Sequence, residues 1–420
     1  MKRVRAIHVL LLLGLLYLGV EGFRKSGEVH DFTVYYRAAA AVRDGLSAYD
    51  RDTPRFPTLP YVYPPVLSSI LVPLTLLPER VADWIWTCAN LAALIGCLFL
   101  VRRLLLFHPD PEPIIIASFF LVFPFLRSSL RSGQIDMILF WLMLLAICPR
   151  KGNWLLRSGV PLGVAIAIKL YPAGAMLGWL VGRKWKKVGA VLLVTVILSL
   201  LIPVVILGPG NGLRETADFW TDLTPQLAGW KEAPAWYGYR THHSQSISSA
   251  LYRWTSADSA VSLRKSTPSV LILPLGDTSR WVLTFLAAGF WIALACVGLW
   301  KVEKAGKRPF PEKHLLQAGL VMGLIPILGP VSLKPSFITL LPVVAALFAV
   351  PGSTRLLSRV SWGLAVPGLI LYLFPFRFLF GRDFSHWMEG HSDILIGTML
   401  LFLALFLRAV RLEPGREAPV

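Results

Sequence analysis

Residues 114–148 read IIIASFFLVFPFLRSSLRSGQIDMILFWLMLLAIC, and how this stretch is threaded decides the fold. It holds two apolar runs, 114–125 and 137–148, separated by a segment that carries Arg127, Arg131, Gln134 and Asp136. Each run is shorter than the ~20 apolar residues a helix needs to cross a bilayer core of ~30 Å. Basic clusters flank the pair, Arg102-Arg103 before it and Arg150-Lys151 after it. Short Lys/Arg-rich loops mark the cytoplasmic side of a membrane, so both ends are predicted inside and the polar middle at an outward apex. The stretch then forms a hairpin of short helices, which is tolerated at membrane depth only where it is buried in protein or lines a cavity.

The same logic applies to residues 159–180, flanked by Arg157 on one side and by Arg183, Lys184, Lys186 and Lys187 on the other. In its middle lies Lys169-Leu170-Tyr171-Pro172. The Pro172 ring removes a helical hydrogen bond and disfavours helix at Tyr171, so Lys169 is expected at a second outward apex.

Working outward, Lys2, Arg3 and Arg5 place the N-terminus inside, and the first helix runs out from about residue 7. The basic start and apolar run look like a signal peptide. No small-residue cleavage site follows, because 21–25 reads Glu-Gly-Phe-Arg-Lys, so the segment is expected to stay as a helix. An external loop of about 21–80 follows. Within it, 66–77 is apolar but short and bounded by Pro64, Pro65 and Pro78, which predicts a shallow interfacial helix. Residues 81–101 return, 188–207 go out, and a second external loop spans about 208–280. Residues 281–300, 315–330, 337–350, 363–380 and 394–407 then alternate across the membrane, with a turn outside at 332–335. The expectation is an all-α, polytopic membrane protein of about 12 transmembrane or half-membrane helices with two larger external loops. It is read as one domain over 1–420 without internal repeats, with both termini cytoplasmic.

Composition agrees. Of 420 residues, 55% are apolar and only 16% charged, with a mean hydropathy of +0.61, whereas soluble domains carry about 25% charged residues. The net charge of +18 and pI near 10.0 do not indicate nucleic acid, because the basic residues are scattered between apolar runs as topology signals. The four cysteines, Cys88, Cys97, Cys148 and Cys296, have no CxxC spacing and no clustered histidine, so they are read as small buried hydrophobes. Asp50-Arg51-Asp52 spells a DxD in a hydrophilic loop and is read as a solvated turn. His242 and His243 are adjacent, so they point in different directions, and no carboxylate lies near them. No metal or other cofactor is expected.

The threading rests on charge bias alone, yet it puts the unusual polar clusters on one side: His30-Asp31, Arg131 with Gln134, Lys169, residues 242–246, and Lys334. Ionisable groups at membrane depth are costly and usually mark a site or a path. Arg131, Lys169 and Lys334 are the cations placed to meet an anion there; the structural alternative for Lys169 is to snorkel or to pair with Asp136.

The pattern His30-Asp31-Phe32, Tyr35-Tyr36, Ala38-Ala39, Gly45, Tyr49 and Tyr63-Pro64-Pro65 resembles the first external loop of glycosyltransferase family 87, a family of the GT-C superfamily of membrane enzymes. Gly133-Gln134, Lys169-Leu170-Tyr171-Pro172, Gln245-Ser246 with Arg253 downstream, and Gly329-Pro330-Val331-Ser332 continue the resemblance in order, up to about residue 342. The resemblance implies a GT-C-type enzyme of the cell membrane, in bacteria the cytoplasmic (inner) membrane, with its active site on the outer face. It implies transfer of a hexose, mannose above all, from a polyprenyl-phosphate sugar donor to a hydroxyl of a glycolipid or glycan acceptor. It also implies that Asp31 is the general base.

The residue types fit that chemistry, because displacement at an anomeric carbon needs a base on the attacking face and cations for the departing phosphate. Lys169, Arg131 and Lys334 suit the second role. His30, Gln134, His243, Gln245 and Ser246 are candidate partners for sugar hydroxyls, and Tyr35, Tyr36 or Tyr171 can stack on a ring. An apolar groove near 66–77 suits a lipid tail. The chain departs from the family at Ser244, where Asn is common, and at Leu333 and Ser336, where Trp and His are common. The alternative is a transporter or flippase for a lipid-linked or anionic substrate, which should show inverted repeats and polar residues along a path to both faces.

Overall fold

A computed structural model describes residues 2–26, 28, 30–49, 61–148, 153, 155–223, 244–255, 272–305, 310–329, 332–352, 354–373 and 381–410. Among these there are helices and no strand. Among the described residues, five helices are long and apolar enough to cross a membrane: Glu79–Leu104, Pro111–Arg131, Trp185–Leu207, Thr278–Lys304 and Asp393–Val410. Shorter apolar helices stand between them, and the protein is a multi-pass, all-helical membrane protein.

In the N-terminal part, α1 (Lys2–Lys25) is followed by a helix that charge bias could not show, α2 (Asp31–Arg43). The proline-bounded segment folds as α3 (Pro65–Leu71) and one 3-10 turn, Val72–Leu76. Residues 65–69 and Leu71 are buried and only Ile70 of the helix is exposed, so this short apolar helix packs mostly into protein, while Leu76 and Leu77 of the following turn are exposed. Next come α4 (Glu79–Leu104), α5 (Pro111–Arg131) and α6 (Asp136–Ile147).

The α5–α6 pair forms the hairpin, with one correction: α5 is a 21-residue helix and not a short one. Pro124 sits inside it, and the polar end that reads as a helix stop stays helical. The reason is tertiary. Arg127 bonds Glu21 of α1 at 2.8 Å, and the Ser132 hydroxyl bonds the Ser128 carbonyl at 2.6 Å, so the polar groups of the last turn find partners. The second hairpin is broken as expected, into α7 (Val160–Ile168), a 3-10 turn Tyr171–Met176, and α8 (Leu177–Val181).

Then come α9 (Trp185–Leu207), α10 (Pro209–Asp218), α11 (Ile247–Thr255), α12 (Asp277–Lys304), α13 (Phe310–Leu328) and α14 (Leu341–Ala349). The chain ends in α15 (Arg355–Leu371), α16 (Arg382–Gly390) and α17 (Asp393–Val410). The expected crossing at 337–350 is instead a 3-10 turn, Lys334–Leu340, and the nine-residue α14, almost wholly buried. Its lack of polar residues reflects burial in protein, not contact with lipid.

One large core unites α4–α6 with α13, α14 and α17, and a smaller one joins α2, α3 and α7 to the start of α4. Helices α9 and α12 lie outside and expose leucine, valine and phenylalanine, Val205 at 68% and Phe285 at 66%, as lipid-facing helices do. Helices α15 and α17 meet through Gly368 and Gly397, where a Cβ on either glycine would lie 2.9 Å from the other's carbonyl oxygen. Of the cysteines, Cys97 and Cys148 are buried as read, while Cys88 is exposed on α4.

Candidate functional site

The N-terminus of α2 organises the site. His30 is its extended N-cap, and its Nδ1 accepts from the Phe32 N–H at 3.2 Å. A ring nitrogen that accepts carries no proton, so Nε2 is the N–H, and it meets Asp83 Oδ2 of α4 at 3.0 Å. Both ring nitrogens are thereby engaged in holding α2, and the imidazole is not presented to a sugar. Asp31 is the first residue of the helix, and its N–H donates to the Ser132 carbonyl at 3.0 Å.

Ser132 belongs to the turn that joins α5 to α6, and the next residue, Gly133, has φ +61. A Cβ there would lie 2.8 Å from His30 Nδ1 and 2.9 Å from the Phe32 Cβ, so glycine is needed both for the left-handed backbone and for the close approach of α2. The Trp86 indole N–H donates to the Gly133 carbonyl at 2.8 Å and pins the turn from α4. Gln134 then points at Asp31, its Nε2 donating to Oδ2 at 2.5 Å. Its Oε1 faces the Tyr35 hydroxyl at 3.2 Å and the Tyr63 hydroxyl at 3.4 Å, which are themselves 2.9 Å apart. Tyr35 reaches this point because it lies one helical turn after Asp31.

Lys169 enters from the other hairpin. Helix α7 ends at Ile168, the Lys169 backbone is extended (φ −154, ψ 136), and Nζ donates to Asp136 Oδ1 at 3.0 Å. The ammonium also lies 5.2 Å from the ring centres of Tyr63 and Tyr171, and the Tyr171 hydroxyl donates to the same carboxylate oxygen at 3.1 Å. The two outward apices read from charge bias therefore meet, as an ion pair. Burial pushes the Asp31 carboxyl up to about 6, against the pull of the Lys169 ammonium and the Gln134 amide. Asp31, Gln134, Tyr35, Lys169 and Tyr171 thus form one polar group, with Tyr63 as an unforeseen member and Asp136 in the ion pair with Lys169 that the sequence offered as a structural alternative.

A second polar group gathers on the other half of the molecule. The Gln245 N–H donates to the Ser332 carbonyl at 2.8 Å, and its Nε2 donates to the Glu389 carbonyl at 2.7 Å. Ser246 and Ser249 hydroxyls lie 3.0 Å apart. Lys334 donates to Glu389 Oε1 at 2.5 Å, and Arg253 donates to the Ser244 carbonyl at 2.7 Å and the Ser392 hydroxyl at 2.5 Å. Gln245, Ser246 and Lys334 are thus held together, but no contact joins them to Asp31 among the described residues. Two further candidates stand apart. Arg131 lies 3.7 Å from Glu21, and the Tyr36 hydroxyl donates to the Leu77 carbonyl at 2.7 Å. His243, with His242, Asp50-Arg51-Asp52 and Pro330-Val331, lies outside the described residues.

Asp83 and Glu389 escaped the reading of the sequence. Asp83 had a signal, since an acid opening the apolar run 81–101 needs a partner. Glu389 had none, being 55 residues from Lys334.

Together these features define a class: a polytopic membrane protein in which a half-buried carboxylate at the head of α2 and a lysine from the second hairpin share one polar site. The chain belongs to glycosyltransferase family 87, whose profile matches residues 61–310, and it is a membrane glycosyltransferase. That match takes in Gln134 and Lys169; Asp31 and Lys334 lie outside it. Over 403 residues, 92% of this chain and 84% of the relative, it is 26% identical to the polyprenol-phosphate-mannose-dependent alpha-(1-2)-phosphatidylinositol pentamannoside mannosyltransferase of Mycobacterium tuberculosis. The protein of the same description from Mycolicibacterium smegmatis is 35% identical over 181 residues, 41% of this chain and 43% of that one, so this alignment spans less than half of either. ArnT from Cupriavidus metallidurans, solved with undecaprenyl phosphate, superposes with a TM-score of 0.41 at 14% identity over 95% of this chain and 76% of its own. Family membership does not favour the transporter or flippase alternative.

Proposed function

We propose that the protein moves a mannose from a polyprenyl-phosphate donor to a hydroxyl of a glycolipid or glycan, at the outer face of the membrane, with Asp31 as the general base. In this reading the whole chain is one domain, and both termini are cytoplasmic. The observation that carries it is the arrangement at the head of α2. Asp31 is half-buried, engaged through one oxygen by Gln134, and subject to the field of Lys169.

A carboxyl raised to about 6 is ionised at neutral pH yet basic enough to take a proton in the transition state. The acceptor hydroxyl gives its proton to Asp31 as its oxygen bonds to the anomeric carbon. The bond from that carbon to the phosphate oxygen breaks, and polyprenyl phosphate leaves with the bonding pair. Lys169 spends one N–H on Asp136, and an ammonium has three, so two remain to meet the phosphate charge. Support for the donor and the sugar comes from the mycobacterial relatives, which are polyprenol-phosphate-mannose-dependent. The exposed apolar residues of α3 and the following turn suit the polyprenyl tail.

The test is transfer of radiolabelled mannose from polyprenyl-phosphate-mannose to a membrane-lipid extract, by purified wild type and Asp31→Asn. Loss of about a hundredfold or more is expected, the contribution typical of a general base. Equal transfer by the two proteins removes Asp31 from catalysis.

A further inference from the structure

We infer that the acceptor's proton goes to Oδ1 of Asp31 alone, and that Gln134, turned by the hydroxyls of Tyr35 and Tyr63, is a positioning residue that reserves Oδ2. This rests on the reading of Asp31 as the base and deepens it, and it reassigns Gln134, which the sequence suggested as a contact for sugar hydroxyls.

An ionised carboxylate only accepts hydrogen bonds, so the Gln134 atom facing Oδ2 at 2.5 Å is the NH2 group. The amide oxygen is then on the far side, where Tyr35 and Tyr63 stand at 3.2 and 3.4 Å. Each phenol has one proton. If Tyr35 donates to Tyr63, Tyr63 donates to Gln134; if Tyr35 donates to Gln134, Tyr63 is left to accept from the solvent or the ligand side. Either way a phenol proton points at Oε1 and the amide cannot turn over. Tyr35 is fully buried and Tyr63 nearly so, at 0% and 8% exposure, so this relay is closed to water. A buried amide whose oxygen and one N–H are already taken has little left for a sugar.

The backbone reinforces the geometry. The Gln134 N–H donates to the Ser129 carbonyl at 3.1 Å, and the Asp31 N–H donates to the Ser132 carbonyl. The two residues are therefore held on one rigid joint, with the Trp86 bond to Gly133 behind it. Oδ1 receives no hydrogen bond in the joint and is the oxygen left for an incoming hydroxyl. Holding a base through its other oxygen restricts its rotation and leaves one aligned lone pair for transfer. The charged and titratable groups that act on Asp31 are Lys169 and Asp136 from the two hairpins and its neighbour His30, with Tyr35 and Tyr63 facing the amide.

The experiment is the pH dependence of kcat/KM for mannose transfer in detergent-purified protein, for wild type, Gln134→Met, Gln134→Glu and the double variant Tyr35→Phe with Tyr63→Phe. Gln134→Met keeps length and removes the donor. Its acidic limb should move up by about one pH unit, with kcat down about tenfold and the donor KM within about twofold. Gln134→Glu should move the limb further, because a like charge is added. The phenylalanine double variant keeps Gln134 and frees its amide, so a smaller upward shift is expected, and it serves if Gln134→Met does not fold. A limb that stays in place in the folded variants, with the donor KM rising severalfold, overturns the inference and returns Gln134 to sugar binding. Failure of the underlying reading looks different, since Asp31→Asn would then retain both wild-type transfer and the wild-type acidic limb.

Discussion

Asp31 illustrates how one side chain can cost stability and supply function. Its carboxyl titrates near 4 in an unfolded chain and at about 6 here, raised by burial. A raised folded value means that full stability is present below pH ~4 and is lost as pH rises through about 6, because the ionised form is the one penalised. Two outcomes follow at pH 7. Asp31→Asn should melt a few degrees higher than wild type in a thermal unfolding assay, with the gap closing at pH 4. Wild-type kcat/KM should fall on the acid side with an apparent pKa near 6. Lys169 tests the neighbouring pair. Lys169→Met strands the Asp136 carboxylate, 2% exposed, and should cost about 3 kcal/mol by denaturant unfolding. Adding Asp136→Asn should recover most of that stability but not the transfer lost with the ammonium. Recovery of transfer in the double variant would reduce Lys169 to a structural role.

Among the elements, the joint between the head of α2 and the α5–α6 turn matters most. It is built from a backbone bond, an amide–carboxylate bond, an indole bond and one glycine that admits the close approach. Gly133→Ala places a Cβ against the His30 ring in a left-handed backbone, and either effect alone costs of order 1 kcal/mol. The expected outcome is a loss of about 2 kcal/mol in unfolding and a larger relative loss in kcat than in donor KM, since the base and its positioning amide move apart. An unchanged kcat would show that the joint tolerates a separation the hydrogen bonds deny. The hairpins themselves were legible because basic residues bracket them and Pro172 breaks the second. Helix α2 was not, because its polar and apolar residues do not interrupt any hydrophobic run, and charge bias says nothing of a helix that lies outside one.

The whole molecule divides into lipid-facing helices, α9 and α12, and a buried set of short pieces around the site. The proposed orientation is tested by membrane-impermeant maleimide on intact cells, in a background with the four native cysteines replaced. A cysteine at position 46, exposed after α2, should label from outside. One at position 106, exposed after α4, should label only once the cells are opened. The reverse pattern would invert the orientation and put Asp31 on the inner side.

Composition and charge spacing were enough to establish a multi-pass helical membrane protein whose second hairpin is broken, because bilayer thickness and the cost of buried charge act on the chain one segment at a time. The family pattern directed attention to Asp31, Gln134, Lys169 and Gln245. Which of these meet, and through which atoms, depended on contacts across long intervals. Lys169 joins Asp136 and Lys334 joins Glu389, while Arg131 is drawn to Glu21 and away from the carboxylate. Hydrogen bonds and ion pairs are short-ranged and directional, so the Lys169–Asp136 pair was legible only as an alternative, from two apices on one side, while Lys334 and Glu389, 55 residues apart, are brought together by packing and leave no period or local spacing to read.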